Sequence, residues 1–190
     1  MSEFTVLVLL GSLRAESVNR RLAEAAMAAA PAGMRVLIQP ELAELPHYNQ
    51  DHDTAELRPA AVGRFWETLN AADAILVVTP QYNGTMSSVV KNAIDWGSRP
   101  ARNSPLTGKP AAAIGATFGG HGGALSQTEA RRALSIAGAH VVETPQIGVG
   151  TAHERFTQTA PEEDAELMGQ LTELLTALRI AAEEKEEASA

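Results

Sequence analysis

A doubly wound α/β sandwich, with five parallel strands covered by helices on both faces, is the fold that this chain of 190 residues predicts. Three observations lead there. Strand and helix signals alternate from one end to the other. The strand candidates are short, continuous apolar runs such as Val6-Leu7-Val8-Leu9-Leu10 and Ala74-Ile75-Leu76-Val77-Val78, which suit strands buried on both faces. No linker, repeat or change of composition divides the chain, and its length fits one α/β domain able to bury roughly 70% of its unfolded surface.

The elements follow in order. A strand over 4–10 leads into a helix over 18–30, with Ser17 at the N-cap position just ahead of Arg20-Arg21-Leu22-Ala23. A second strand is predicted over 34–38. Residues 40–53 form the longest irregular stretch and contain Leu45-Pro46-His47-Tyr48-Asn49. A helix over 57–71, a strand over 73–79 and a helix over 87–97 come next, then a strand over 110–116, a helix over 124–138 and a last strand over 139–143. The final helix, over 162–183, carries Leu167, Leu171, Leu174, Leu175 and Leu178 at helical spacing, which packs it on the sheet. Residues 1–180 read as one domain and 181–190 as a disordered, solvated acidic tail around Glu183-Glu184-Lys185-Glu186-Glu187. Right-handed crossovers and a strand order of 2-1-3-4-5 put a topological switch point between the first and third strands, where a ligand sits beyond the strands' C-terminal ends.

Composition excludes several chemistries. With no cysteine there are no disulfides, thiolate metal sites, iron–sulfur clusters or cysteine nucleophiles, so any redox activity needs a cofactor. The histidines at 47, 52, 121, 140 and 153 have no ligand spacing, and no metal is expected. A net charge of −8 and a pI near 5.1 argue against a nucleic-acid surface. Ser12 lacks the Gly-x-Ser-x-Gly context of a hydrolase. Neither a signal peptide nor an apolar run of the ~20 residues needed for a membrane span is read, and a cytoplasmic location is expected.

The chemistry is concentrated in three loops. The segment Gly11-Ser12-Leu13-Arg14-Ala15-Glu16-Ser17-Val18-Asn19 joins a strand to a helix N-terminus through hydroxyls, an amide and a guanidinium. Unpaired N–H groups and the helix dipole favour an anion there, and Ser12, Ser17 and Asn19 can each donate a hydrogen bond. The same residues would also serve a plain turn in which they only cap the helix. No Gly-Lys-Ser/Thr ending and no GxGxxG are present, so a mononucleotide phosphate fits better than a triphosphate or a dinucleotide. The second loop, Thr79-Pro80-Gln81-Tyr82-Asn83-Gly84-Thr85, sets backbone donors beside one aromatic. It would hold a flat, carbonyl-bearing heterocycle such as isoalloxazine, or merely reverse the chain. The third, Phe118-Gly119-Gly120-His121-Gly122-Gly123, is flexible enough for close approach to a ligand, or for a lid or helix-entry turn.

Together these loops resemble the NAD(P)H-dependent FMN reductase family of the flavodoxin-like superfamily, which includes quinone, chromate and azo-compound reductases. The likeness runs from about Phe4 to Val149. It is carried by Gly11-Ser12-Leu13-Arg14 with Ser17-Val18-Asn19-Arg20, by Leu45-Pro46-His47-Tyr48-Asn49, by Pro80-Gln81-Tyr82-Asn83 with Lys91-Asn92-Ala93-Ile94-Asp95-Trp96, and by Gly108-Lys109-Pro110. The resemblance implies a flavodoxin-like three-layer sandwich that binds FMN. Ser12, Arg14, Ser17 and Asn19 would bind the FMN phosphate, and Pro80, Gln81, Tyr82, Asn83 and Gly84 would border the isoalloxazine, with Thr117, Gly119 and Gly120 closing the other side of the ring. The family usually has Glu at Gln81 and commonly Pro at Ser87. It also implies a homodimer or homotetramer, with Lys91, Asp95 and Trp96 near the interface, although Trp96 at a helix end equally suits a core.

The expected activity is an exchange at one open flavin face. NADPH or NADH delivers hydride to bound FMN, and the electrons pass to a small acceptor (a quinone, flavin, azo compound or metal oxyanion) in ping-pong order. The flavin carries the chemistry, so no catalytic acid or base is named. His121 could donate a proton or simply face solvent. Arg14 would neutralise the FMN phosphate or meet the 2′-phosphate of NADPH. The alternative from another class is a flavodoxin-type electron carrier serving partner proteins; a third is a scaffold without flavin.

Overall fold

Every residue of β3 (Ala74–Val78) is buried, as an unbroken apolar sequence requires of a central strand. The computed structural model describes residues 3–40, 42–101 and 103–189, the side chains of 186 and 189 excepted. In it β3 lies between β1 (Phe4–Leu10) and β4 (Pro110–Ala116), with β2 (Met34–Ile38) outside β1. All pairs are parallel, Phe4 facing Met34, Val6 facing Ala74 and Ile75 facing Ala111. The order β2-β1-β3-β4-β5 is the one predicted, and the fold is flavodoxin-like.

Period-two alternation divides the strand side chains between two cores. Val6, Val8, Leu10, Leu76 and Val78 face α1 (Val18–Ala28) and α6 (Ala165–Ser189), meeting Leu22, Leu171 and Leu175. Leu7, Leu9, Ile75 and Val77 face α2 (Ala60–Ala71), α3 (Ser88–Gly97) and α4 (Ala124–Ile136), meeting Phe65, Leu69, Ile94 and Leu134. The connections leaving β1, β3 and β4 therefore share one end of the sheet. No described helix is long and apolar enough to cross a membrane.

The structure departs from the sequence reading at the fifth strand position. Instead of one strand over 139–143, two short ones line the edge of β4. β5 (His140–Val141) pairs with Pro110–Ala111, and β6 (Gly148–Val149) pairs with Gly115–Ala116. Pro145, between them, has no N–H to give a ladder. Arg131 fills part of the gap, its guanidinium donating to the Ala113 carbonyl at 3.3 Å. A short helix, α5 (Ala152–Gln158), follows β6 and is anchored by buried Ala152 and Phe156. The last helix starts at Ala165 after a 3-10 turn at Pro161–Glu163, and it continues to Ser189 through the stretch read as a disordered tail. Ala, Glu and Lys, which fill that stretch, are strong helix formers.

Candidate functional site

The first loop is shaped by close packing. Gly11 donates to the Val78 carbonyl at 2.8 Å, and a Cβ there would stand 2.5 Å from Ser87 Oγ, so the start of α3 leaves room only for glycine. Ser12, next to it, is buried. Ser17 caps α1 from an extended conformation, its Oγ accepting from Asn19 N–H at 3.1 Å, and no acidic residue lies in the first turn of that helix. No side chain of that turn offsets the positive end of the α1 dipole beside the loop. Asn19, expected as an anion donor, lines the cleft and also bridges to β4. Its Nδ2 donates to the Ala116 carbonyl at 2.8 Å and its Oδ1 accepts from Ala116 N–H at 2.9 Å.

The second loop is a two-residue hairpin. Tyr82 and Thr85 exchange both backbone hydrogen bonds at 3.0 Å, while Asn83 and Gly84 sit at φ 51° and 80°, as a type I′ turn demands. The N–H groups of Tyr82 and Thr85 are thus consumed by the turn, and Tyr82 is 52% exposed. Thr79 Oγ1 accepts from Ser87 N–H at 3.2 Å, and Ser87 Oγ accepts from Val90 N–H at 3.4 Å. Ser87 caps α3 in its own right, so the helix begins without a proline at its start.

The third loop is a braced wall rather than a lid. Thr117 N–H donates to Val149 O at 2.9 Å, Ala152 N–H to Thr117 O at 2.9 Å and Thr151 N–H to Gly119 O at 3.0 Å. Backbone lies on backbone here. A Cβ at Gly122 would come 2.5 Å from the Gly148 carbonyl carbon, and one at Gly150 would come 2.3 Å from Gly120 O. The brace, residues 148–152, went unread in the sequence; its one signal is the spacing Gly148-x-Gly150, which matches Gly120-x-Gly122.

These loops enclose a cleft of about 300 Å³. Ser12, Arg14, Ser17 and Asn19 line one end; Pro80, Gln81 and Tyr82 line one wall, and Thr117, Phe118 and Gly119 the other. Asn83 lies instead in a neighbouring groove of about 990 Å³ between α3 and α4, and Gly84 and Gly120 line neither. Tyr82 borders both spaces. Arg14 and His121 are the basic residues at the cleft, and no Asp or Glu lines it among the described residues, although the chain has 23 of them. A cleft between two loops that ends at a helix N-terminus and has no carboxylate among its described lining residues fits a heterocycle carrying a phosphate.

The remaining family-like stretches are scaffolding. Asn92 Oδ1 accepts from Tyr48 N–H at 2.9 Å, and its Nδ2 donates to Pro46 O at 3.0 Å. Trp96 Nε1 donates to the same Pro46 carbonyl at 2.8 Å, its ring meeting Tyr48 edge-on at 4.9 Å. Trp96 is 0% exposed, so it is a core residue that pins the loop over 45–48 and not part of a surface. Lys91 and Asp95 do line the larger groove, paired with each other at 2.6 Å. Lys109 lies at the opposite end of the sheet, where its ammonium binds the Ala72 carbonyl at the end of α2; burial pushes its pKa below 10.5.

The model of the NADPH-dependent FMN reductase family matches residues 4–154. An NAD(P)H-dependent FMN reductase of Pseudomonas aeruginosa is 39% identical over 154 residues, covering 81% of this chain and 82% of that protein. A quinone reductase of Escherichia coli K12 is 37% identical over 179 residues, 93% of this chain and 95% of the other. Among solved structures, the flavoenzyme NAD(P)H:(acceptor) oxidoreductase FerB of Paracoccus denitrificans has a TM-score of 0.78 at 28% identity, over 94% of this chain and 98% of that one. The matched span contains all three loops of the cleft, and the chain belongs to the NADPH-dependent FMN reductase family, as an oxidoreductase with FMN as cofactor and NAD(P)H as electron donor.

Proposed function

We propose that this protein reduces small acceptors, quinones first among them, in a ping-pong exchange in which NAD(P)H and acceptor use one open face of the flavin in turn. The observation that carries the reading is a cleft with no carboxylate among its described lining residues, ending at the α1 N-terminus, in a chain of net charge −8. Quinones come first because several relatives are named quinone reductases; free flavin, azo compounds and metal oxyanions need only reach the same face.

Bound FMN supplies the redox chemistry, taking hydride from NAD(P)H and releasing electrons to the acceptor. The chain supplies position and electrostatics. In this reading Ser12, Arg14, Ser17, Asn19 and the first amides of α1 hold the phosphate, and the bridge from Asn19 to Ala116 sets the distance between the phosphate loop and the end of β4. Pro80, Gln81 and Tyr82 border one side of the ring, with Asn83 and Gly84 shaping the hairpin behind them. Thr117 and Gly119 border the other, with Gly120 seated on the brace. Residues 1–180 act as one FMN-binding domain. A homodimer or homotetramer accords with the open groove between α3 and α4, and a cytoplasmic location with dependence on an intracellular nucleotide.

The test is the visible spectrum of FMN-loaded protein, followed anaerobically as NADPH and then NADH are added. Rapid bleaching, reversed by a quinone, with parallel lines in double-reciprocal initial-rate plots, is the expected result. Flavin that binds yet stays oxidised would mark an electron carrier, and failure to bind FMN a scaffold.

A further inference from the structure

Helix α4 has an incomplete start. Its N-cap is Gly123, at φ 76°, with no side chain to accept from the first-turn amides. The Ser126 N–H, three residues on, finds its acceptor in Gln81 Oε1 at 3.3 Å, from a loop 45 residues earlier in the chain. Gln81 therefore caps a helix to which it does not belong, and it ties the hairpin loop to the first turn of α4. The other end of the carboxamide is left over. Nε2 carries two N–H groups that make no hydrogen bond among the described residues, and Gln81 is one of the residues that line the cleft.

The choice of amide over acid matters at this position. A carboxylate would accept from Ser126 N–H equally well and would be favoured by the α4 dipole, so capping alone does not call for Gln. What a carboxylate cannot do is donate. It would also be the one negative group among the described residues lining this cleft. Two-electron reduction leaves negative charge on the carbonyl-bearing edge of a flavin, and a fixed donor aimed at that edge binds the reduced ring more strongly than the oxidised one.

We propose that Gln81 is a positioning residue with two functions: its Oε1 caps α4, and this bond holds Nε2 as a donor at the ring edge, biasing the site toward reduced FMN. The proposal rests on the FMN reading of the cleft. It makes Gln81 a setting for the flavin potential and not merely a spacer in the loop.

The experiment compares FMN-loaded wild type with Gln81→Glu and Gln81→Leu, by spectroelectrochemical titration and by thermal melting of the oxidised forms. The titration, measured against free FMN, gives the ratio of affinities for reduced and oxidised flavin. Gln81→Glu keeps the cap and reverses the polarity, so it should melt close to wild type while its preference for reduced FMN falls about tenfold or more. Gln81→Leu loses both functions and should melt roughly 2–4 °C lower, with a ratio between the other two. A Gln81→Glu protein with the wild-type ratio, or one that loses both redox forms equally, overturns the donor function. Unchanged melting of Gln81→Leu overturns the cap. A wild type that binds no FMN removes the reading beneath both, an outcome visible before any variant is compared.

Discussion

Asn19 and Ala116 are joined by a reciprocal pair of hydrogen bonds, Nδ2–H to the Ala116 carbonyl at 2.8 Å and Ala116 N–H to Oδ1 at 2.9 Å. The pair is buried and spans 97 residues, tying the first turn of α1 to the end of β4. Asn19→Ala strands both Ala116 groups, at a cost of about 2–4 kcal/mol and a fall in Tm of roughly 5–15 °C. Asn19→Asp keeps the acceptor but sets a carboxylate against a carbonyl, so it should not restore stability. Wild-type melting of both variants would show that the bridge contributes nothing.

The same pair shows how far the sequence is legible. Ser17 as a cap, the apolar strands and the turn at Asn83-Gly84 all follow from neighbours in the chain, and each is found where the sequence puts it. The carboxamide of Asn19 offers no local hint of its partner, because that partner is a backbone group 97 residues away. Gln81 capping α4 and Trp96 reaching Pro46 are hidden for the same reason. The split of the fifth strand and the brace at 148–152 are hidden differently: segments of two residues carry no periodicity to detect.

Gly122 and Gly119 give a paired prediction on the brace. At Gly122, with φ 58°, a Cβ would meet the Gly148 carbonyl at 2.5 Å, whereas at Gly119 it would meet nothing within 4 Å. Gly122→Ala must force the two backbones apart and should cost about 1–3 kcal/mol or more. Gly119→Ala should melt close to wild type. Equal melting temperatures for the two variants would mean that the glycine-on-glycine contact does not stabilise the wall.

Arg14 separates phosphate recognition from ring recognition. It is exposed and lines the end of the cleft nearest the α1 N-terminus. If it pairs with the FMN phosphate, Arg14→Ala loses a charge-assisted bond of about 1.5–3 kcal/mol, or roughly 10- to 100-fold in affinity for FMN. Affinity for riboflavin, which has no phosphate, should hold. Flavin fluorescence titration reads both, and an equal loss for the two ligands would place Arg14 against the ring or the fold instead.

Asp164 ties stability to pH. It caps α6, with Oδ1 accepting from Leu167 N–H at 3.1 Å and Oδ2 from Arg155 Nε at 2.8 Å. Burial by itself would raise the pKa of this carboxyl, but the bonds from Leu167 N–H and Arg155 outweigh it, and the net shift is downward from 3.8. Because the folded state holds the proton less tightly than the unfolded one, the unfolded chain binds more protons as acid is added, and stability falls with pH. The stabilisation is complete above the unfolded value of 3.8 and is lost as pH drops through the lower folded value. Asp164→Asn keeps the shape and removes the charge. The gap in Tm between wild type and this variant should be constant from neutral pH to about 5 and should close below about 4. A gap of the same size at the acid end would show that the cap works through hydrogen bonding alone and that the ion pair with Arg155 adds nothing.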